Sequence, residues 1–178
     1  YILTSESIVL QEIIALQEST SILPEPAVPF PQADKLERVI DLLGLLMEQE
    51  DHTLHKDFIT SNYNFDSRQT DYYSNAGIYL GLIKRAKPGV FQLSEEGIQL
   101  MKLSQKRKWL KLVECILAHE VFHKTLESYF KSLFPITPDQ VVEIMKTSHV
   151  HNVNTDVTRG RRAQTVIKWI DWILDLAE

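Results

Sequence analysis

The sequence predicts a mainly α-helical fold with one small β-hairpin, arranged as tandem winged-helix-like modules. Three observations carry that expectation. Apolar residues recur at helical spacing through most of the chain. Residues 82–93 break that rhythm and read as two short strands joined by Lys87-Pro88-Gly89, where proline suits the first central position of a turn and glycine the second. The order helix, short helix, helix and hairpin then recurs in part, without a second hairpin before Glu178. The expected organisation is an N-terminal arm and Pro-rich linker over 1–33, a first winged-helix module over 34–105, and a second, helical one over 106–178 whose wing is missing or truncated.

In chain order, residues 1–20 read as a short helix, and Pro24, Pro26, Pro29 and Pro31 favour an extended linker after it. Asp34 and Glu37 form a candidate capping box for a helix whose apolar face is Leu36, Val39, Ile40, Leu43, Leu46 and Met47. A short helix from 55 to 61 and a polar turn follow. The third helix is capped by Asp66 or Ser67, and Tyr72, Ala76, Tyr79, Leu80 and Ile83 are its expected buried back. Gly77 and Gly81 interrupt it and read as sites of close packing against another helix. Ser94 caps the next helix, which runs into Lys106-Arg107-Lys108. The apolar stripe then changes face between Ala118 and Glu120, so two helices or one kinked helix are expected. Thr137-Pro138-Asp139-Gln140 is a helix start, and a last helix begins between Thr155 and Thr158, with Ala163, Val166, Ile170, Ile173 and Leu174 inward.

With 178 residues, 44% of them hydrophobic, the chain can build one ordinary domain or two small ones. It has no apolar run long enough to span a bilayer and no signal-peptide pattern, and its lone Cys115 fits a buried thiol in a reducing compartment; a cytoplasmic protein with no membrane partner is expected. It opens at Tyr1 rather than Met and reads as a piece of something longer. The net charge of −5 argues against a nonspecific nucleic-acid coat. The charge is uneven: residues 1–66 carry −9 and residues 67–178 carry +4. The positive charge therefore accompanies the two arginine-led helices.

Those helices are the candidate DNA readers. Arg68, Gln69, Ser74 and Asn75 lie on the first, with Lys84, Arg85 and Lys87 on the hairpin; Arg159, Arg161, Arg162, Gln164, Thr165 and Lys168 lie on the second. A helix in the major groove contacts bases chiefly through its first turns, and arginine, lysine and amide groups match base edges and phosphates there. The ordinary alternative is that these cations pair with acids or stay hydrated. A protein-interaction or transcription-regulator module, with Tyr72, Tyr73 and Phe91 as its surface, is the rival from another class.

Catalytic patterns are scarce. His119-Glu120-Val121-Phe122-His123 matches H-E-x-x-H, in which two histidines one turn apart hold zinc and the glutamate activates water, with Glu143, His149 or His151 as a third ligand. The motif straddles the change of helix face, so core histidines are the better reading and neither metal nor cofactor is expected. No Asp or Glu stands two residues before a Lys, so the acid-x-Lys triplet of metal-dependent nucleases is missing. No Gly-rich phosphate loop or Gly-framed serine elbow is present either.

Two passages carry a family resemblance: Arg68-Gln69-Thr70-Asp71-Tyr72-Tyr73 with Gly77-Ile78-Tyr79-Leu80-Gly81-Leu82, and Thr158-Arg159-Gly160-Arg161-Arg162-Ala163-Gln164-Thr165-Val166 with Trp169-Ile170-Asp171-Trp172-Ile173. They resemble the winged-helix DNA-recognition region of type II restriction endonucleases and related restriction-modification and defence proteins. The resemblance spans residues 34–174. It implies binding of a specific double-stranded DNA target, with cleavage supplied by a separate nuclease domain or modification by a methyltransferase partner. It leaves open whether a nuclease domain belongs to this protein, the target sequence, and the oligomeric state.

Overall fold

The computed structural model describes residues 7–150 and 153–177. These residues form a mainly helical protein with a small three-stranded antiparallel sheet. In order they are α1 (Leu10–Ser19), α2 (Leu36–Glu48), β1 (Thr53–His55), α3 (Lys56–Tyr63), α4 (Ser67–Tyr79), β2 (Ile83–Lys87), β3 (Val90–Leu93), α5 (Glu95–Met101), α6 (Gln105–Leu117), α7 (Glu120–Ser132), α8 (Pro138–Lys146) and α9 (Asp156–Asp175). No helix among the described residues is long and apolar enough to cross a membrane. The chain divides into two compact units, one being Val28–Lys102 and the other the described parts of 1–27 and 103–178. Residues expected as an arm and linker therefore contribute to both.

In the unit Val28–Lys102, α2 buries Leu36, Val39, Leu42, Leu43 and Leu46 along one side, as its 3.6-residue spacing requires. It starts at Leu36 with Lys35 as N-cap and no side-chain cap, rather than at the expected Asp34 box. Upstream, Phe30 is buried edge-on to Tyr79, with ring centroids 5.6 Å apart. The turn from α3 to α4 is held by an aromatic column: Phe65 stacks on Tyr63 and on Tyr73, each at 5.1 Å, and the Arg38 guanidinium lies 5.1 Å from the Phe65 centroid. Burial pushes the Tyr63 phenol up to about 12, helped by the carboxylates of Asp41 and Glu48.

The expected hairpin forms, with Gly89 at φ +75° completing its turn, and a third strand joins it that helical periodicity alone does not reveal. The sheet order is β1-β3-β2, so β3 is central and buries Val90, Phe91 and Leu93, while β2 is an edge. Gly77 packs against a strand, not another helix. A Cβ there would lie 2.3 Å from the Ile83 Cδ1, so the bare backbone lets β2 close on α4. Gly81 makes no such contact; its φ of +76° turns the chain out of α4. The Leu82 carbonyl oxygen would lie 2.2 Å from a Cβ on Gly97, and Ser94 ties the same corner by donating from Oγ to the Gly81 carbonyl at 2.7 Å.

The other unit contains only helices among its described residues. The stripe change at 118–120 is a true break: α6 ends at Leu117 and α7 begins at Glu120. Likewise α5 stops at Met101, so the basic cluster at 106–108 opens a separate helix. Trp169 of α9 is fully buried and stacks on Phe122 of α7 at 5.1 Å, and α8 packs on both helices. α1 packs on α6, α7 and α9, and Lys106 meets Glu12 at 2.8 Å. The proline segment after α1 is tied down as well, because Leu23 N–H donates to the Ala118 carbonyl at 2.9 Å.

Gly97→Ala should destabilise the protein by about 1–3 kcal/mol through overpacking against rigid backbone. Gly44→Ala, mid-helix in α2 with only the Met101 Cε at 4.0 Å, should stabilise it by about 0.5–1 kcal/mol; shifts of the denaturant midpoint in opposite directions are the check. For Tyr63, the folded pKa lies above the unfolded value near 10, so its stabilising contribution is complete below pH 10 and is lost as pH rises towards 12. Phenolate absorbance should accordingly show a late component from Tyr63, joined by Tyr73, whose phenol burial also pushes up.

Candidate nucleic-acid interface

The N-terminus of α4 is closed by a reciprocal capping box. Asp66 Oδ1 accepts from the Gln69 backbone N–H at 2.8 Å, and Gln69 Oε1 accepts from the Asp66 N–H at 3.2 Å. The box leaves Gln69 exposed but commits its carbonyl oxygen to the helix. Asp71, the acid nearest Arg68 within α4, is occupied by Lys56, whose Nζ donates to it at 2.9 Å.

Arg68 is exposed. Its Nε donates to the Tyr72 hydroxyl and its guanidinium carbon lies 5.4 Å from the Tyr72 centroid, which holds the side chain along the outer surface of the helix. One turn further, Asn75 is half-buried and accepts, through Oδ1, a hydrogen bond from Arg85 Nη2 on β2. Arg85 also lies 5.2 Å from the centroid of Phe91, its cross-strand partner. Lys84 and Lys87 are exposed on the same strand, whose register shifts between Arg85 and Lys87. Among the described residues, none of Arg68, Lys84, Arg85 and Lys87 has a carboxylate within ion-pair distance.

Two expected readers are corrected. Ser74 is fully buried, on the Thr70/Ser74/Gly77 side of α4, where small residues allow close packing; its hydroxyl lacks a hydrogen-bond partner among the described residues. Thr165 is 1% exposed on the inner face of α9 beside Val166. Phe91, expected on a partner surface, lies in the core, and Tyr73 is engaged with Phe65.

The start of α9 is more self-contained than that of α4. Arg159 donates to Asp156 Oδ1 at 2.9 Å, and the same carboxylate lies 3.8 Å from Lys146. Lys146 is held above the ordinary lysine value, first by its bond to Glu143 and then by the charge of Asp156. Arg162 is half-buried and engaged; Arg161, Gln164 and Lys168 remain exposed in one stripe, with Lys168 close enough to oppose the raised pKa of Asp171.

The H-E-x-x-H residues do not share one helical face, since His119 is the N-cap of α7. Its Nδ1 donates to Glu25 at 3.1 Å. His123 gives Nδ1–H to the Leu117 carbonyl at 2.9 Å and receives the Gln17 amide on Nε2 at 3.3 Å, so both ring nitrogens are used. Glu120 is held below the usual carboxylate range by Lys124 and by the His149 backbone N–H. Of the nominated third ligands, Glu143 is bonded to Lys146, His149 points to Glu120, and His151 lies outside the described residues. Among the described residues no cluster of His, Cys, Asp and Glu could hold a metal ion.

A family model described as Domain of unknown function (DUF7226) matches residues 38–178. No curated protein and no solved structure matches the chain.

Ser74→Ala removes a buried hydroxyl without a partner and should raise stability by about 1 kcal/mol, leaving any duplex affinity unchanged. Arg161→Ala should move stability by less than about 0.5 kcal/mol, as expected for an exposed residue with no carboxylate partner among the described residues. Chemical denaturation of both variants is the check.

Proposed function

We propose that this chain, which belongs to the DUF7226 family, binds double-stranded DNA in a sequence-specific manner through α4 and the β2–β3 hairpin, without catalysis of its own. The order α2, β1, α3, α4, β2, β3, with its antiparallel sheet, supports reading Val28–Lys102 as a winged helix-turn-helix. The carrying observation is the group of four exposed cations, Arg68, Lys84, Arg85 and Lys87, gathered on one helix and one hairpin without carboxylate partners among the described residues. Cations left without carboxylate partners are available to an anionic partner. Here the nearby Asp71 is already neutralised.

The setting implied by the restriction-modification resemblance, target recognition with a nuclease or methyltransferase elsewhere, is part of the same proposal, as is a cytoplasmic location. It is not extended with equal weight to α9, where Arg159 and Arg162 are engaged and Thr165 is buried. A second reading of the lysines has its own observation. β2 is an edge strand, and lysines on an edge discourage pairing with other chains.

Duplex affinity measured against salt separates the two. Under the DNA reading, log K falls linearly with log salt, by about 0.9 per neutralised phosphate. Lys84→Ala with Lys87→Ala should flatten that slope by about 2, about 1 for each lysine. An edge-guarding role instead predicts aggregation of the double variant with an unchanged slope, and no duplex affinity at low salt would refute the proposal.

A further inference from the structure

We infer that the α4–hairpin surface selects guanine over adenine, because the oxygens of both α4 amides are already engaged while their hydrogens and two guanidinium groups remain available to acceptors; the inference rests on the duplex-binding reading. In the major groove adenine offers an acceptor at N7 and a donor at N6, and asparagine or glutamine pairs with both by using its oxygen and nitrogen together. Guanine offers two acceptors, N7 and O6, and is met by paired donors.

Both amides on the outer side of α4 are compromised as adenine readers. Gln69 Oε1 accepts from the Asp66 backbone N–H within the capping box, at 3.2 Å. Asn75 Oδ1 accepts from Arg85 Nη2. A second lone pair remains on each oxygen, but at Asn75 an incoming amino group would meet the positively charged guanidinium edge. At Asp71, whose carboxylate could accept from cytosine N4, Oδ2 accepts from Lys56 at 2.9 Å. The donors that remain are the amide hydrogens of Gln69 and Asn75 and the unbonded guanidinium hydrogens of Arg68 and Arg85; the Ser67 hydroxyl serves either role.

The Arg85–Asn75 bond is built into the fold. Gly77, two residues after Asn75, admits Ile83, two residues before Arg85, and so brings β2 against α4 at this level. Phe91 then supports the guanidinium at 5.2 Å. Arg85 acts here as a specificity-determining residue twice over, by donating outward itself and by removing Asn75 from adenine reading.

The test selects bound sites from a random duplex pool with the whole chain, then with Arg85→Ala. The selected wild-type sites should contain guanine, and replacing their guanines with 7-deazaguanine, which lacks the N7 acceptor, should weaken binding about fivefold to a hundredfold. Arg85→Ala frees Asn75 Oδ1, so adenine should replace guanine at one position of the selected site. Selected sites made only of A·T pairs, no loss with 7-deazaguanine, or an unchanged guanine preference in Arg85→Ala would each overturn the inference while duplex binding persists. A chain with no duplex affinity would instead fail the reading beneath it.

Discussion

The close approach of Ile83 to Gly77 is the constraint on which the arrangement of the unit Val28–Lys102 depends. A side chain at residue 77 would occupy the space taken by the Ile83 Cδ1 and push the first residue of β2 away from α4. With the backbone bare, strand and helix meet, Leu82 and Ile83 enter the core, and the chain can return through Gly97 against the Leu82 carbonyl. Two cramped glycines therefore fix the hairpin on the helix from both sides. The energetic return is burial of Leu82, Ile83, Phe91 and Leu93, each 3% exposed or less. The polar consequence is that Asn75 and Arg85 meet.

The two arginine-led helices show how alike sequence cues diverge. Both begin with a capping side chain and carry arginine in the first turns. In α9 an aspartate stands three residues before Arg159, at a spacing that puts the two side chains together on one helical face, and they pair. In α4 the acid near Arg68 is drawn to Lys56 on α3, leaving Arg68 to lie along Tyr72. The difference lies in which neighbour captures the carboxylate. Composition and charge counts do not contain that information, since they assign +4 to residues 67–178 without saying which cations are spent.

A similar point explains the His119-Glu120-Val121-Phe122-His123 match. Two histidines four apart converge only within one continuous helix, and here the helix begins between them. The change of apolar stripe at 118–120 already marked that boundary. The packing then gives each residue a structural partner: Glu25 for His119, Lys124 for Glu120, Gln17 and the Leu117 carbonyl for His123. The last set draws α1 into the same unit, which accounts for a buried glutamine on an otherwise apolar helix face.

Local chemistry along the chain located most of the helices, the caps at Ser94 and Thr137, Asp66 as one of two cap candidates, and the Pro88-Gly89 turn, because capping and turn geometry act over fewer than about five residues; it misplaced the start of α2 and missed the break between α5 and α6. Beyond that range the sequence was silent or misleading. The three-residue β1 has too few positions for an alternating pattern and exists through pairing with β3. Ser74 has the polarity of an outward reader, but its place on the Thr70–Gly77 side of the helix buries it. Only the tertiary structure decided that Gln69 and Asn75 spend their oxygens, that Arg85 rests on Phe91, and that α1 joins α6 and α7, because each of these contacts joins groups that meet only after the backbone has folded.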